Sequence, residues 1–362
     1  MARNGGSPIQ QLKREGQSLW LDNIRRQLIT SGELARLRDE GLTGVTSNPT
    51  IFEKAVSGST DYNEALVRLV RQGKRPDQML WQLMVEDIQA AADVFRPVYD
   101  RTKGADGFVS IEVSPAVARS TKKTIAMAQD LHDRCDRPNV MVKIPATKPG
   151  LPAIREMLGR GVNINITLIF SVDRYAEVVE AFMSGLEDLK RAGGDLSKVA
   201  SVASFFVSRV DSKVDSQLEG KQGGDKLMGR IGIDNSKLAY ELWKQLHSGS
   251  RWEALKKAGA RPQRCLWAST STKNPKYPDT YYVEELIGPE TVDTVPPATL
   301  AAFREHGEVR RSLDEHVDAS KRRLRQLEEL GISLAQVTEE LEVEGVDLFH
   351  KSYQSLTKAL RE

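Results

Sequence analysis

At 362 residues and 40% hydrophobic, the chain can fill one large α/β core or two ordinary ones, which excludes an intrinsically disordered protein. Its 52 basic and 50 acidic residues leave a formal charge of +2, so no global field draws it to nucleic acid or an anionic membrane, and any anion site must be local. Two cysteines, Cys135 and Cys265, are too few for a disulfide framework and lack metal-ligand spacing, residues 1–7 carry no apolar leader core, and no run nears the roughly eighteen apolar residues of a membrane span; a reducing, cytoplasmic setting fits best.

Short apolar runs alternate with longer amphipathic stretches, as in βα units around a parallel sheet. Strands are expected at residues 18–22 and 44–46, with a helix between them opened by Ser31, carrying Leu34 and Leu37, and stopped at Gly41. A long helix over 77–99 precedes strands at 108–112, 140–144 and 163–167. Ser171 opens a further helix with Tyr175, Val178, Val179 and Phe182 on one face, ended by Gly193 and Gly194. Strands at 199–204, 264–268 and 291–295 bring the count to eight. Eight such alternations favour an α/β fold of the closed (β/α)8 TIM-barrel kind over an open doubly wound sheet. A typical barrel takes roughly 250 residues. The surplus is assigned to an insertion at 211–263 and a C-terminal extension, 298–362, that reads as almost wholly helical and rich in charge. Neither a repeat nor a low-complexity linker divides the chain, and one domain over 1–362 is the economical organisation.

The strand ending Val140-Met141-Val142-Lys143-Ile144-Pro145 buries an amine. An ammonium is costly there, and desolvation favours the free amine, the form that attacks a carbonyl to make a Schiff base. The alternative is a strand-end lysine that reaches water or pairs with a carboxylate. Parity extends the pattern. Ile164 and Ile166 share one face of their strand and Asn163, Asn165 and Thr167 the other, so isoleucines turned toward outer helices would aim three polar groups at the barrel axis. Trp20 and Asp22 oppose Leu19 and Leu21 in the same way, Ser110 and Glu112 oppose Ile111, and Lys143 shares a face with Met141. The C-terminal strand ends therefore offer Asp22, Asn48, Glu112, Lys143, Asn165, Thr167 and Ser204. Each alone is readily explained as a strand-end residue bonded to a loop. As a set they would cost about 1–3 kcal/mol for each group left unpaired, so they satisfy one another or bind something, at the face where barrels do chemistry.

Six segments, in order, resemble the transaldolase family of class I aldolases in its longer bacterial form. They are Leu19-Trp20-Leu21-Asp22, residues 44–52 with Thr46-Ser47-Asn48-Pro49-Thr50, Ser110-Ile111-Glu112-Val113, Lys143-Ile144-Pro145-Ala146-Thr147, residues 163–171, and Ser204-Phe205-Phe206-Val207-Ser208-Arg209. The second and fourth are the specific pair. The resemblance implies transfer of a dihydroxyacetone unit between ketose and aldose phosphates of the pentose phosphate pathway, by a monomer or homodimer that uses no cofactor or metal. By the same resemblance Lys143 is the Schiff-base lysine and Asp22 the base that removes the C4 hydroxyl proton. Glu112 and Thr167 hold a water for proton shuttling, and Asn48 and Asn165 bond hydroxyls of the dihydroxyacetone moiety. Arg209 grips the sugar phosphate, with Ser204 lining the same pocket. After the seventh strand the chain departs from the usual serine-then-arginine text, reading Ala268-Ser269-Thr270-Ser271-Thr272-Lys273. Ser269 and Lys273 are the candidates to complete the phosphate site, against the alternative of an exposed loop lysine.

Other features carry no chemistry. The histidines, His132, His247, His306, His316 and His350, have no ligand spacing and read as surface residues. The Gly220–Lys226 stretch lacks the strand and the Lys-Ser/Thr ending of a phosphate loop, and the basic run 321–325 reads as a solvated helix face. The rival functions are a fructose 6-phosphate aldolase that releases dihydroxyacetone, and a silent barrel that only binds sugar phosphates.

Overall fold

The computed structural model describes residues 6–359, and all eight expected strands form. They are β1 Gln17–Asp22, β2 Gly44–Thr46, β3 Val109–Glu112, β4 Val140–Pro145, β5 Ile164–Ile169, β6 Ser201–Phe206, β7 Arg264–Ala268 and β8 Thr291–Val295. All pair in parallel and in sequence order, and β1 pairs with both β2 and β8, so the sheet is a closed barrel and not an open one. The parity read from the sequence decides what lies inside. Leu19, Leu21, Ile111, Val142, Ile144, Ile164 and Ile166 face outward into a continuous apolar layer shared with the surrounding helices. Trp20, Met141, Val202, Leu266 and Val292 belong to a separate cluster that fills the barrel floor.

Trp20 sets the geometry of that floor. β2 opens on Gly44 because a Cβ there would meet the Trp20 ring and the Phe108 carbonyl at 2.7 Å. The indole Nε1 donates to Asp106 Oδ1 at 2.9 Å, and Asp106 also accepts from the Ser18 hydroxyl, so the polar edge of the ring is satisfied at the closed end. With the floor sealed by apolar bulk, the next interior position is polar on every strand but β7, where it is Ala268, and these positions ring the open C-terminal end.

The helices depart from expectation in instructive places. Gly32, at φ 81°, caps the Glu33–Asp39 helix, and a separate short helix, Arg26–Thr30, precedes it; the left-handed turn that divides them is cheap for glycine. Ser171 does cap Val172–Arg191, its hydroxyl accepting the Arg174 amide at 3.1 Å. The expected 77–99 helix runs over Pro76–Arg101. The stretch 211–263 carries most of Ser208–Leu218 together with Ile231–Leu246 and Ser250–Lys257, the helices of the β6–β7 crossover.

The C-terminal region is three helices, Pro297–His306, Val317–Glu329 and Leu334–Ala359. Residues 307–316 are not helical as expected: the amides of Ser312 and Leu313 both bond the Ile287 carbonyl at 3.0 Å, a tertiary tie that outcompetes local helix. Positions 360–362 of that expected helix, like most of the 1–7 segment, lie outside the described residues. Two side-chain expectations are corrected. Arg323, within the basic run, donates from Nε at 2.7 Å to a fully buried Asp234, so that helix face is docked and not wholly solvated. His247 is no surface residue: it stacks on Trp243 at 4.9 Å and abuts Trp252 and Phe182, and burial pushes its pKa down to about 4.

Candidate active site

Strand register builds the site. Glu112 lies opposite Lys143, Lys143 opposite Asn165, and Asp22 opposite Thr46, so the interior-facing polar residues are neighbours by construction. The Lys143 side chain is 6% exposed and its Nζ stands 3.3 Å from Glu112 Oε2, with a 3.3 Å hydrogen bond to the Ser47 carbonyl. Glu112 is 2% exposed, and its Oε2 has no hydrogen-bonding partner beyond that adjacent ammonium. Burial pushes the Glu112 carboxyl up to about 7, against the opposing pull of Lys143. The sequence offered a buried amine either a functional role or a carboxylate partner, and here it has the partner, buried beside it.

Asp22 is partly exposed at the end of β1. The Thr46 hydroxyl donates to its Oδ1 at 2.7 Å and lies 2.6 Å from the Thr294 hydroxyl, which fixes the rotamer. Burial raises the Asp22 pKa, while Lys143, the Thr46 hydrogen bond, Arg209 and Lys273 pull the other way. Lys143, Arg209 and Lys273 thus share the electrostatic neighbourhood of one carboxylate.

Asn165 is fully buried and locked: its amide donates to Ser110 Oγ at 3.0 Å and its carbonyl accepts from Ser204 Oγ at 2.7 Å. Ser204 thereby orients Asn165. Thr167 is fully buried with its Oγ1 unpartnered, on a strand that kinks immediately afterward, Leu168 taking φ 58°. Asn48 caps helix Pro49–Ser57 by accepting the Ile51 amide at 3.0 Å, which leaves its NH2 group as the free donor beside the cavity.

A cavity of about 490 Å³ opens at this end of the barrel, lined by Asp22, Asn48, Arg209, Pro296 and Phe349 among others. Arg209, half-buried, stacks over the Phe206 ring at 5.4 Å. Ser269, at φ 56°, exchanges a 2.9 Å contact with the Ser208 hydroxyl, and Lys273 donates to Ser271 at 2.9 Å while remaining exposed. Among the described residues no group of three or more His, Cys, Asp or Glu side chains is arranged to hold a metal ion.

Sequence reasoning missed what covers the cavity. The Leu334–Ala359 helix crosses the mouth, placing Leu348 and Phe349 in its wall. Gly345 permits the close approach, since a Cβ there would come within 2.9 Å of Leu168. Polar ties hold the crossing: Thr50 to Ser352 at 2.8 Å, Lys213 to Glu340 at 2.8 Å, and Trp81 to Tyr353 at 3.1 Å. Nothing local in the sequence announces these partners, because every one joins residues more than a hundred positions apart. Thr46 and Thr294 were legible only as inward parity positions.

Nearly the whole chain is matched in known proteins. A family profile described as Transaldolase/Fructose-6-phosphate aldolase matches residues 19–360. A transaldolase of Parafrankia sp. (strain EAN1pec) is 49% identical over 98% of this chain and 97% of its own length. Transaldolases of Thermobifida fusca and Saccharopolyspora erythraea are 48% and 47% identical, covering 97% and 98% of the chain and 96% and 97% of theirs. A parallel barrel with a lysine and two carboxylates at its open end, matched over nearly its whole length by such relatives, belongs to the transaldolase/fructose-6-phosphate aldolase family.

Proposed function

We propose that the chain transfers dihydroxyacetone between sugar phosphates in the cytoplasm, from sedoheptulose 7-phosphate or fructose 6-phosphate to glyceraldehyde 3-phosphate or erythrose 4-phosphate. The observation that carries this is the Lys143 amine, buried 3.3 Å from Glu112 on the barrel interior that also bears Asp22. Lys143 adds to the C2 carbonyl to give a carbinolamine, and Glu112 passes protons as water departs and the iminium forms. Its pKa of about 7 suits both halves of that exchange, since near neutrality the carboxylate and the acid are both populated. The orphaned Thr167 Oγ1 and Glu112 Oε2 are the two buried oxygens that a shuttling water or a substrate hydroxyl would satisfy.

Asp22 then takes the C4 hydroxyl proton. The C3–C4 bond breaks, its electrons pass into the iminium, and an aldose phosphate leaves behind an enamine of dihydroxyacetone on Lys143. The free NH2 of Asn48 and the remaining N–H of Asn165 retain that unit through its hydroxyls. A second aldose phosphate reverses the steps, so the iminium is the only electron sink required and no cofactor is needed.

Isotope transfer tests the assignment. With fructose 6-phosphate labelled in its first three carbons and erythrose 4-phosphate as acceptor, label is expected in sedoheptulose 7-phosphate. Label in free dihydroxyacetone instead would assign the chain to the aldolase branch, and no label movement would leave only a binding barrel.

A further inference from the structure

Four residues of helix Pro49–Ser57, Thr50, Ile51, Lys54 and Ala55, line the cavity that holds Asp22, Asn48 and Arg209. Their spacing is that of one helix face, so Lys54 sits one turn beyond Thr50 and Ile51 and overhangs the same opening. Three cationic side chains line this cavity. Arg25 is spent, bonded to Asp61 at 2.7 Å. Arg209 has only the Phe206 ring beneath it, and Lys54 is exposed. Among the described residues no carboxylate lies within 4.0 Å of Arg209, Lys54 or Lys273. Arg209 and then Lys54, after burial, push Lys273 toward its neutral form, against the weaker pull of Asp22. Arg209 and Lys54 line this cavity with no carboxylate in ion-pair contact, and a sugar phosphate brings a compact anion that both can meet.

We propose that Lys54 is a specificity-determining residue whose ammonium shares the substrate phosphate with Arg209. The inference rests on the function proposed above, and it adds a contact from the β2–β3 side of the barrel to a phosphate site otherwise built from the segments after β6 and β7. A lysine suits this position as a point charge on a flexible stem, able to follow phosphates carried on sugars of different length, while Arg209 supplies the fixed fork.

The test is a KM against kcat comparison in the full chain with phosphorylated and unphosphorylated substrates. Lys54→Ala, Lys54→Arg, Arg209→Ala and, as an exposed control far along another helix, Lys190→Ala are each assayed with fructose 6-phosphate plus erythrose 4-phosphate, then with dihydroxyacetone as an unphosphorylated donor. Lys54→Ala is expected to raise KM for the phosphorylated sugars roughly fivefold to tenfold, as befits a solvent-exposed charge pair, with kcat and the dihydroxyacetone KM unchanged. Lys54→Arg should restore most of the loss and Lys190→Ala should match the parent. If Lys54→Ala leaves every KM in place while Arg209→Ala raises the phosphorylated ones, the inference falls and the proposed function stands. Equal increases for both substrate types would also overturn it, showing a structural effect. Should neither variant move KM, the phosphate lies elsewhere and the site assignment falls with it.

Discussion

Replacing Glu112 by glutamine keeps the shape of a fully interior side chain and removes its ability to exchange a proton, together with the negative charge that faces Lys143. The wild-type carboxyl, held up to about 7 by burial, is near half-ionised at pH 7 and touches the Lys143 amine at 3.3 Å. Both the base that relieves the carbinolamine of a proton and the acid that expels water are therefore available at the operating pH. Positioned acid-base help is worth roughly 10²- to 10⁴-fold, or about 3–5 kcal/mol of barrier, and glutamine forfeits it. The assay is the rate of borohydride-dependent inactivation with saturating fructose 6-phosphate, together with kcat/KM, between pH 5.5 and 8.5. Wild type should show an inflection near pH 7 that the Gln variant lacks, with Schiff-base formation slowed by at least about a hundredfold. A variant that keeps the inflection and loses less than tenfold would refute the shuttle, and with it the reasoning from burial to pKa to role.

Two further outcomes follow from the same geometry. Asp22→Ala should still be trapped by borohydride as an adduct on Lys143 while C3–C4 cleavage slows by two orders of magnitude or more; rapid-quench analysis that found cleavage unchanged would transfer the base role to another group. Asp293, fully buried on the outer face of β8 with Oδ1 bonded to Thr270 at 2.8 Å and Oδ2 unpartnered, has its pKa pushed up to about 7 from an ordinary 3.8. The folded chain thus holds this proton where the unfolded chain releases it, so the stabilisation is complete below the unfolded value and is lost as pH rises through 7. Asp293→Asn should accordingly gain on wild type by about 1–3 kcal/mol between pH 5 and pH 8 in urea melts, and an offset identical at both pH values would contradict this.

The barrel was legible because its information is local and periodic. Eight short apolar runs separated by amphipathic stretches, and the alternation of Ile164 and Ile166 with Asn163, Asn165 and Thr167, are properties of neighbouring residues, and β pairing in sequence order turned them directly into a ring. The candidate site was legible for the same reason: parity on four strands pointed Asp22, Glu112, Lys143 and Asn165 at one axis. What each polar group bonds to was not. Ser204 supports Asn165 because Ala203 pairs with Ile166 across two strands, a register no single segment encodes. The docking of Arg323 on Asp234, the aromatic pocket around His247 and the Leu334–Ala359 helix over the mouth all depend on tertiary contacts between distant segments. An amphipathic, charge-rich helix reads alike whether it faces solvent or spans a cavity, and a lone lysine such as Lys54 gains meaning only from the opening beside it.

The proposed function rests on nucleophilic attack by the buried Lys143 amine, and one measurement reaches it directly. Wild type and Lys143→Ala are incubated with fructose 6-phosphate, reduced with borohydride, digested and mapped by mass spectrometry. The account predicts a reduced dihydroxyacetone adduct on Lys143 in wild type and none anywhere in the variant. An adduct on another lysine, or one that persists undiminished in Lys143→Ala, would contradict it.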